Sequence, residues 1–454
     1  MNLSPNLRTI RREGACSAVT TGATEPFMIP YALALGASPS VAGLLSSGRN
    51  LLVAILQLWT SDAVARLGSR RRLALWTTGL QAVLLVPVAL ARPLFGEHAV
   101  AALITFFTLG AAIAALGTGA WGSLIADFVD PAERGRFFGQ RARIVGLWTT
   151  GATLLAGPLL QVTAHRPALG FGVLVGAAAV SRLVAWTQIR RVTEGAWHAT
   201  PELHFSFAEF LRATPRSNFA RFSLALGGLN FATHMAAPYF AVYLLEERGL
   251  SYLTYSLVIL AGALTSSLAS AAWGRVGDRA GNHAVLRWAT LGVSIMPVIW
   301  TFAPNAVALG FVNASGALLW SGINLAATNF LYDAVTPEKR HTCLAYFNVV
   351  NGTAIGLGAL AGSTVLAVVP GPPAEGFWVL FVGSSALRVL AALVFRRAVR
   401  EVRAVAPLEL GQLFLDLVGQ RLVAFLEFLP SRRTPPDDER GPHGSDGGGQ
   451  RRQP

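Results

Sequence analysis

Charge is scarce in this chain. Of 454 residues only 13% are charged and 53% are apolar, whereas an ordinary soluble domain carries about 25% charged residues. Cysteine is scarcer still. Cys16 and Cys343 stand near opposite ends without metal-ligand spacing, and both fall on the cytoplasmic side of the topology derived below, so no disulfide is expected. No glycine-rich phosphate loop is present to couple the chain directly to ATP. The eight histidines are scattered, and no carboxylate or histidine cluster sits at one interface, as a membrane-embedded transferase or metalloenzyme would want. The net charge of +13 would suit a nucleic-acid binder, but the basic residues lie in alternate loops. No nucleic-acid partner and no cofactor is therefore expected.

What the sequence does have is long apolar runs bounded by short basic clusters. Ala74–Ala91, Ala99–Ala126 and Leu286–Ala303 are examples. Runs of roughly 20 apolar residues match the hydrocarbon thickness of a bilayer when helical. Glycine and proline are frequent inside them, which argues against soluble helices. In a membrane, neighbouring helices satisfy the freed backbone groups and small residues permit close approach. The pattern predicts twelve transmembrane helices, at 14–35, 41–60, 73–91, 99–126, 138–163, 168–189, 218–244, 251–273, 284–303, 306–332, 342–369 and 376–397. The first contains Glu25, Pro26 and Pro30 and lacks a cleavage site, so it reads as a retained span.

Arginine fixes the expected orientation. Arg8, Arg11 and Arg12 precede the first span, Arg66 and Arg70–Arg72 follow the second, and Arg190 and Arg191 follow the sixth. Arg396, Arg397, Arg400 and Arg403 follow the twelfth, while the opposite loops carry only Arg92, Arg166 and Arg248. This positive-inside bias places both termini in the cytoplasm and the protein in the plasma (inner) membrane. The expected organisation is a terminus 1–13, a six-helix bundle 14–189, a linker 190–217 with a short interfacial helix, a second six-helix bundle 218–397, an amphipathic helix within 398–430 and a disordered tail 431–454. The amphipathic segment reads as lying on the cytoplasmic leaflet, with a partner-binding helix as the rival.

A shift of 206 residues lays the second half on the first. Asp127, Pro131 and Arg134 fall on Asp333, Pro337 and Arg340; Arg182 falls on Arg388; Arg190-Arg191 fall on Arg396-Arg397. Pro30-Tyr31 and Pro238-Tyr239 correspond at a shift of 208. Duplicated halves joined by a cytoplasmic linker are a transporter architecture. Between the eighth and ninth spans runs Gly274-Arg275-Val276-Gly277-Asp278-Arg279-Ala280-Gly281-Asn282-His283. It resembles the Gly-x-x-x-Asp-Arg-x-Gly-x-(basic) loop signature of the major facilitator superfamily. The first copy is degraded: Asp62 is present, Leu58 replaces the glycine, and Arg66 arrives late. The segments 127–136 and 333–340 resemble the loops of that family after the fourth and tenth helices. The resemblance covers about residues 14–397. It implies an all-α fold of two pseudo-symmetric six-helix bundles, with helices one, four, seven and ten lining a central cavity.

An aspartate at a helix end can accept bonds from a neighbouring helix N-terminus and pair with arginine. Such contacts hold one face of a transporter shut and break when it opens. Asp62, Arg66, Asp127, Arg134, Gly274, Asp278, Arg279, Asp333 and Arg340 are therefore assigned to gating. The plainer alternative is that they cap helices and fix topology.

Charges inside spans are costly, and each is a functional candidate by default. At about 1.5 Å per residue, Glu25 lies roughly 15 Å and Arg49 roughly 12 Å below the outer surface, where a helical hairpin lets them pair. The functional reading makes Glu25 a site for a proton or substrate cation, tuned by Arg49, with His234 titrating or donating to substrate. The alternative is a static ion pair and a structural histidine. Tyr31, Asn230, Tyr239 and Asn324 are further polar candidates for the cavity. Arg182 and Arg388 are read as structural, expected to pair with Asp127 and Asp333. The function these features imply is secondary active transport of a small organic solute by a proton-linked monomer. A sensor or assembly protein that keeps the fold without transport is the alternative, and a lipid-linked transferase a weaker one.

Overall fold

The computed structural model describes residues 4–130, 133–194, 207–336 and 340–402, with the side chains of 134–135, 271 and 340–342 excepted. The expected amphipathic helix at 405–430, the tail 431–454 and part of the linker lie outside these residues.

Among the described residues there are twelve long helical passages. The first half holds α1 (Pro5–Thr24, resuming as Met28–Ala34), α2 (Pro39–Gln57, followed by Thr60–Leu67), α3 (Arg70–Ala89), α4 (Ala99–Asp127), α5 (Arg134–Val162) and α6 (Pro167–Arg191). A short helix, Phe207–Arg212, precedes the second half: α7 (Asn218–Ala236, then Tyr239–Val242), α8 (Tyr252–Ala280), α9 (Asn282–Phe302), α10 (Ala306–Ala334), α11 (Arg340–Val368) and α12 (Pro373–Ala398). Among the described residues ten helices are long and apolar enough to cross a membrane. Pro5–Thr24 and Asn218–Ala236, the first sections of α1 and α7, are the other two long helices, and they are the more polar ones. They also occupy corresponding places in the two halves.

The helix contacts repeat. In the first half α1 packs on α5 and α6, α3 on α4 and α6, and α2 on α4; adding six to each number gives the strongest pairings of the second half. The two largest contacts between halves, α2 with α11 and α5 with α8, exchange under the same operation. Smaller devices repeat as well. Asn6 clasps Thr193 past α6, and Asn218 clasps the backbone of Arg400 past α12. Glu194 accepts from the backbone amides of Arg70 and Arg71 at the start of α3, and Glu401 accepts from His283 N at the start of α9. This is the pseudo-symmetry that the constant sequence shift implied.

The first span begins nine residues before the expected 14. Ser4 caps it by accepting from Leu7 N, and Pro5 supplies a preset φ at the first helical position. The arginine-rich segment that reads as a terminus is thus the first turns of α1. The same helix breaks at residues 25–27 because Pro26 and Pro30 have no N–H. Their i−4 carbonyls, Gly22 and Pro26, find partners on other helices instead. Thr153 of α5 donates to Gly22 O at 3.1 Å, and Tyr255 of α8 donates to Pro26 O at 2.6 Å. Sequence composition tolerates the prolines only because these neighbours exist.

The two halves share one apolar core at the end away from both termini. Phe27, Tyr31 and Phe171 there join Tyr239, Tyr255, Phe377 and Phe381. Close approach of α2 to the second half depends on Gly43. A Cβ there would collide with the Tyr239 hydroxyl and come within 2.6 Å of Ala359 O. At the end that carries the termini, the core of Leu7, Ile10, Trp121, Phe137 and Ile189 draws on the first half alone.

Candidate functional site

The break in α1 leaves Glu25 at the end of its first helix section. Arg49 of α2 meets it with both guanidinium arms: Nη1 lies 2.6 Å from Oε2 and Nη2 2.5 Å from Oε1. A bidentate fork of this kind is the strongest common charge-assisted geometry. The side chains keep 40% and 30% of their surface for Glu25 and Arg49, so the pair faces open space. The guanidinium also sits over the Phe107 ring of α4, 5.7 Å from its centroid. Arg49 Nε has no partner.

His234 of α7 is not joined to this pair. Its Nδ1 lies 2.9 Å from Asn230 O, which makes Nδ1 the protonated nitrogen and leaves the Nε2 lone pair free as an acceptor. Asn230 donates through its amide to Asn351 of α11 at 2.6 Å. Asn324 is exposed on α10. Tyr31 and Tyr239, expected to face the cavity, are wholly buried. Each phenol spends its single proton on a carbonyl within its own half, Val88 O at 3.2 Å and Ala359 O at 3.0 Å. Both are packed aromatics with a satisfied polar tip.

At the terminal end the arginine partner of Asp127 is Arg70. Gly68 ends the short helix in the left-handed region at φ 62°, and Ser69 caps α3. Arg70 therefore starts α3 facing the end of α4, where it reaches Asp127 at 2.6 Å, Ser123 at 3.0 Å and Glu194 at 3.2 Å. Asp62 and Arg66 are exposed on the short helix. Burial alone would raise the Glu194 carboxyl. Hydrogen bonds from Ser69, the backbone of Arg71 and Arg70, and the Arg70 side chain outweigh it and hold the carboxyl below its ordinary value. Asp278, Arg279 and Gly274 lie in the last turns of α8, and Asp333 accepts from Asn282 at 3.0 Å. Arg134 and Arg340 open α5 and α11; their side chains lie outside the described residues.

The expected pairing of Arg182 with Asp127 does not occur. Arg182 sits about two and a half turns inside α6 and donates to Ser17 of α1 at 2.8 Å, while Asp127 is held by Arg70. Arg388 does not pair with Asp333. It is 2% exposed and donates to two backbone carbonyls, Val293 at 3.0 Å and Thr233 at 3.3 Å.

Sequence reasoning missed Glu13. It is 3% exposed and accepts from Arg141 at 3.1 Å, Trp121 Nε1 at 3.0 Å and Ser17 at 2.6 Å, which links it to Arg182. The signal was an acid within a run of arginines, and it was passed over because the first span was begun one residue later.

Twelve helices in two six-helix bundles, joined at one end and with a polar site at the break of the first helix, define a polytopic membrane protein of transporter fold. The chain belongs to the Major Facilitator Superfamily, whose family model matches residues 14–359 and 222–433. Its structure is similar to the nucleoside transporter NupG, with a TM-score of 0.64, 12% identity, 87% of this chain and 99% of that one. It is similar to a bacterial homologue of the iron transporter ferroportin (TM-score 0.67, 17% identity, 88% and 99% covered). A D-xylose–proton symporter gives a TM-score of 0.66 at 13% identity, with 88% and 98% covered. No curated protein matches the sequence. At these identities the likeness shows the fold. Family and fold together indicate membrane transport of a solute, not an enzyme.

Proposed function

We propose that this protein is a monomeric secondary active transporter that moves a small organic solute by alternating access and draws on a proton gradient. The observation that carries the proposal is the Glu25–Arg49 fork, a half-exposed ion pair at a helix break midway through apolar helices. Full burial would cost each ion several kcal/mol of desolvation, whereas this pair keeps an open face through which a proton or a solute can reach it. Protonation of Glu25 would release Arg49 from its clamp and free its donors for a substrate acceptor. Deprotonation would re-form the fork. The Nε2 lone pair of His234 offers an acceptor in the second half for a donor on the substrate.

The arrangement of cores supports a state open toward the terminal end, with both termini cytoplasmic in the plasma (inner) membrane as the arginine distribution requires. Reversal of the cycle requires the shared far-end core to part while terminal-end groups such as Asp127, Arg70, Asp278 and Asp333 close.

The test begins with thermal unfolding of the purified full chain against nucleosides, pentoses and dipeptides at acidic and neutral pH. A ligand at a hundred times its Kd adds about 2.7 kcal/mol. A stabilising compound is then followed into proteoliposomes under an imposed pH gradient. Uptake that follows the gradient in the wild type and loses it in Glu25→Gln supports the proposal. Uptake indifferent to the gradient removes the proton role.

A further inference from the structure

Away from the central site, a cavity of about 440 Å³ runs between α7 and α12. Its walls are Leu224, Ala225, Gly228 and Phe231 on one side and Leu387, Leu390, Ala391 and Val394 on the other. Several of these apolar side chains are exposed: Leu224 at 39%, Leu390 at 57% and Val394 at 47%. The polar groups of the lining, Arg221 and Thr214, gather at the terminal end, beside Ala398. Arg221 Nε and Thr214 Oγ1 are buried yet have no hydrogen-bond partner. Just beyond, the clasp of Asn218 on the Arg400 backbone joins the start of α7 to the end of α12.

We propose that this groove holds one anionic phospholipid of the terminal-end leaflet, its acyl chain lying between α7 and α12 and its phosphate on Arg221 and Thr214. The dimensions fit. From residue 221 to 231 α7 climbs roughly 15 Å, which is the depth of one leaflet's hydrocarbon, half of about 30 Å. The polar end coincides with the helix termini, where the headgroup layer lies. The chemistry fits too. A guanidinium offers paired donors to phosphate oxygens, a hydroxyl supplies a third, and an unpartnered buried donor of either kind is costly without such an acceptor. The wall of Leu, Ala, Gly and Phe offers no polar group to any occupant other than a hydrocarbon chain.

Gly228 allows a clean test. A Cβ at this position meets nothing within 4 Å, so Gly228→Val fills the groove without displacing the protein around it. The full chain, purified in a neutral detergent, is titrated with phosphatidylglycerol, with phosphatidylcholine and with inorganic phosphate. Binding is read by native mass spectrometry and by the unfolding temperature. Saturable binding of phosphatidylglycerol is expected, reduced about fivefold in Arg221→Gln and blocked in Gly228→Val, while both variants unfold near the wild-type temperature without lipid. Equal binding of phosphatidylcholine would overturn the role of Arg221. A response to inorganic phosphate alone would overturn the role of the groove. Undiminished phosphatidylglycerol binding in Gly228→Val would place the lipid elsewhere and end the proposal.

Discussion

The phenol of Tyr255 donates to the carbonyl of Pro26 across the boundary between the two halves, at 2.6 Å. The carbonyl is available because Pro30 has no N–H to give it. Among the described residues one other side-chain hydrogen bond crosses the halves, Ser363 to Ser40 O at 2.8 Å, at the same end. The break that places Glu25 is thus tied to the closure of the far end. Tyr255→Phe keeps the ring against Phe27 and removes only the bond, leaving a buried carbonyl at a cost of about 1–3 kcal/mol. The variant is expected to favour the far-end-open state. In a background with Cys16 and Cys343 replaced by serine, Ser256→Cys, now 2% exposed, should label faster when Tyr255 is Phe. Unchanged labelling would show that the bond does not latch the far end.

The Glu25–Arg49 pair should be modest in stability and large in function. With 40% and 30% of their surfaces open, the side chains are partly screened, so Glu25→Gln is expected to cost about 1 kcal/mol, short of the 3–5 of a fully buried pair. A double-mutant cycle with Arg49→Gln should return a coupling of at least about 0.5 kcal/mol. Transport should separate from stability: gradient-driven accumulation is lost in Glu25→Gln, while exchange without a gradient continues. A coupling near zero would mean that the fork has no energetic weight.

Asp278 tests the gate in the half where the loop signature is intact. Asp278→Asn keeps shape and removes charge at the last turns of α8. Slower transport with a normal yield of folded protein in the membrane is the expected result. Transport kinetics identical to wild type would take Asp278 out of the gate.

Glu194 gives a pH signature. Its folded carboxyl is held below the ordinary value of 4.5 by hydrogen bonds that outweigh its burial. A depressed carboxyl contributes stability that is present above the unfolded value and lost as pH falls through the folded one. The wild type should therefore lose unfolding temperature as pH drops below the ordinary value of 4.5, and Glu194→Gln should lose less over that interval while starting lower at neutral pH. Parallel curves for the two proteins would show that the α3 cap does not carry the dependence.

How far the sequence reached can be judged from these residues. Span number, repeat and family were legible because they rest on long-range periodicity: apolar length, arginine in alternate loops, and one shift linking Asp127 to Asp333. The hairpin turn between α1 and α2 is short enough to put Glu25 within reach of Arg49, so that pair was legible too. Partners set by side-chain direction were not. Arg66 and Arg70 belong to one basic cluster, and the left-handed turn at Gly68 between them leaves Arg66 on the short helix while Arg70 starts α3 and reaches Asp127. Tyr31 and Tyr239 occupy one repeat position and read as polar cavity candidates, but both are buried with their hydroxyls on backbone carbonyls. Nor does sequence say that the carbonyls freed by Pro26 and Pro30 are met by Thr153 and Tyr255, which lie more than 120 residues away.

The missed network at Glu13 yields the largest expected effect. Its side chain is 4% exposed, its ion-pair partner Arg141 is 23% exposed, and Ser17 bridges it to Arg182. Glu13→Gln leaves Arg141 and Arg182 facing one another's field with no anion between them. Breaking a buried pair from one side costs about 3–5 kcal/mol, so the purified variant should unfold well below wild type. Arg141→Met in the same background should recover part of the loss, because it removes one uncompensated cation. The exchange Arg182→Asp with Asp127→Arg should recover nothing, since Arg70 already holds Asp127 and Arg182 lies beside α1. Recovery in that exchange, with none from Arg141→Met, would return Arg182 to the pairing that the repeat alone had suggested and would make the Glu13 network incidental.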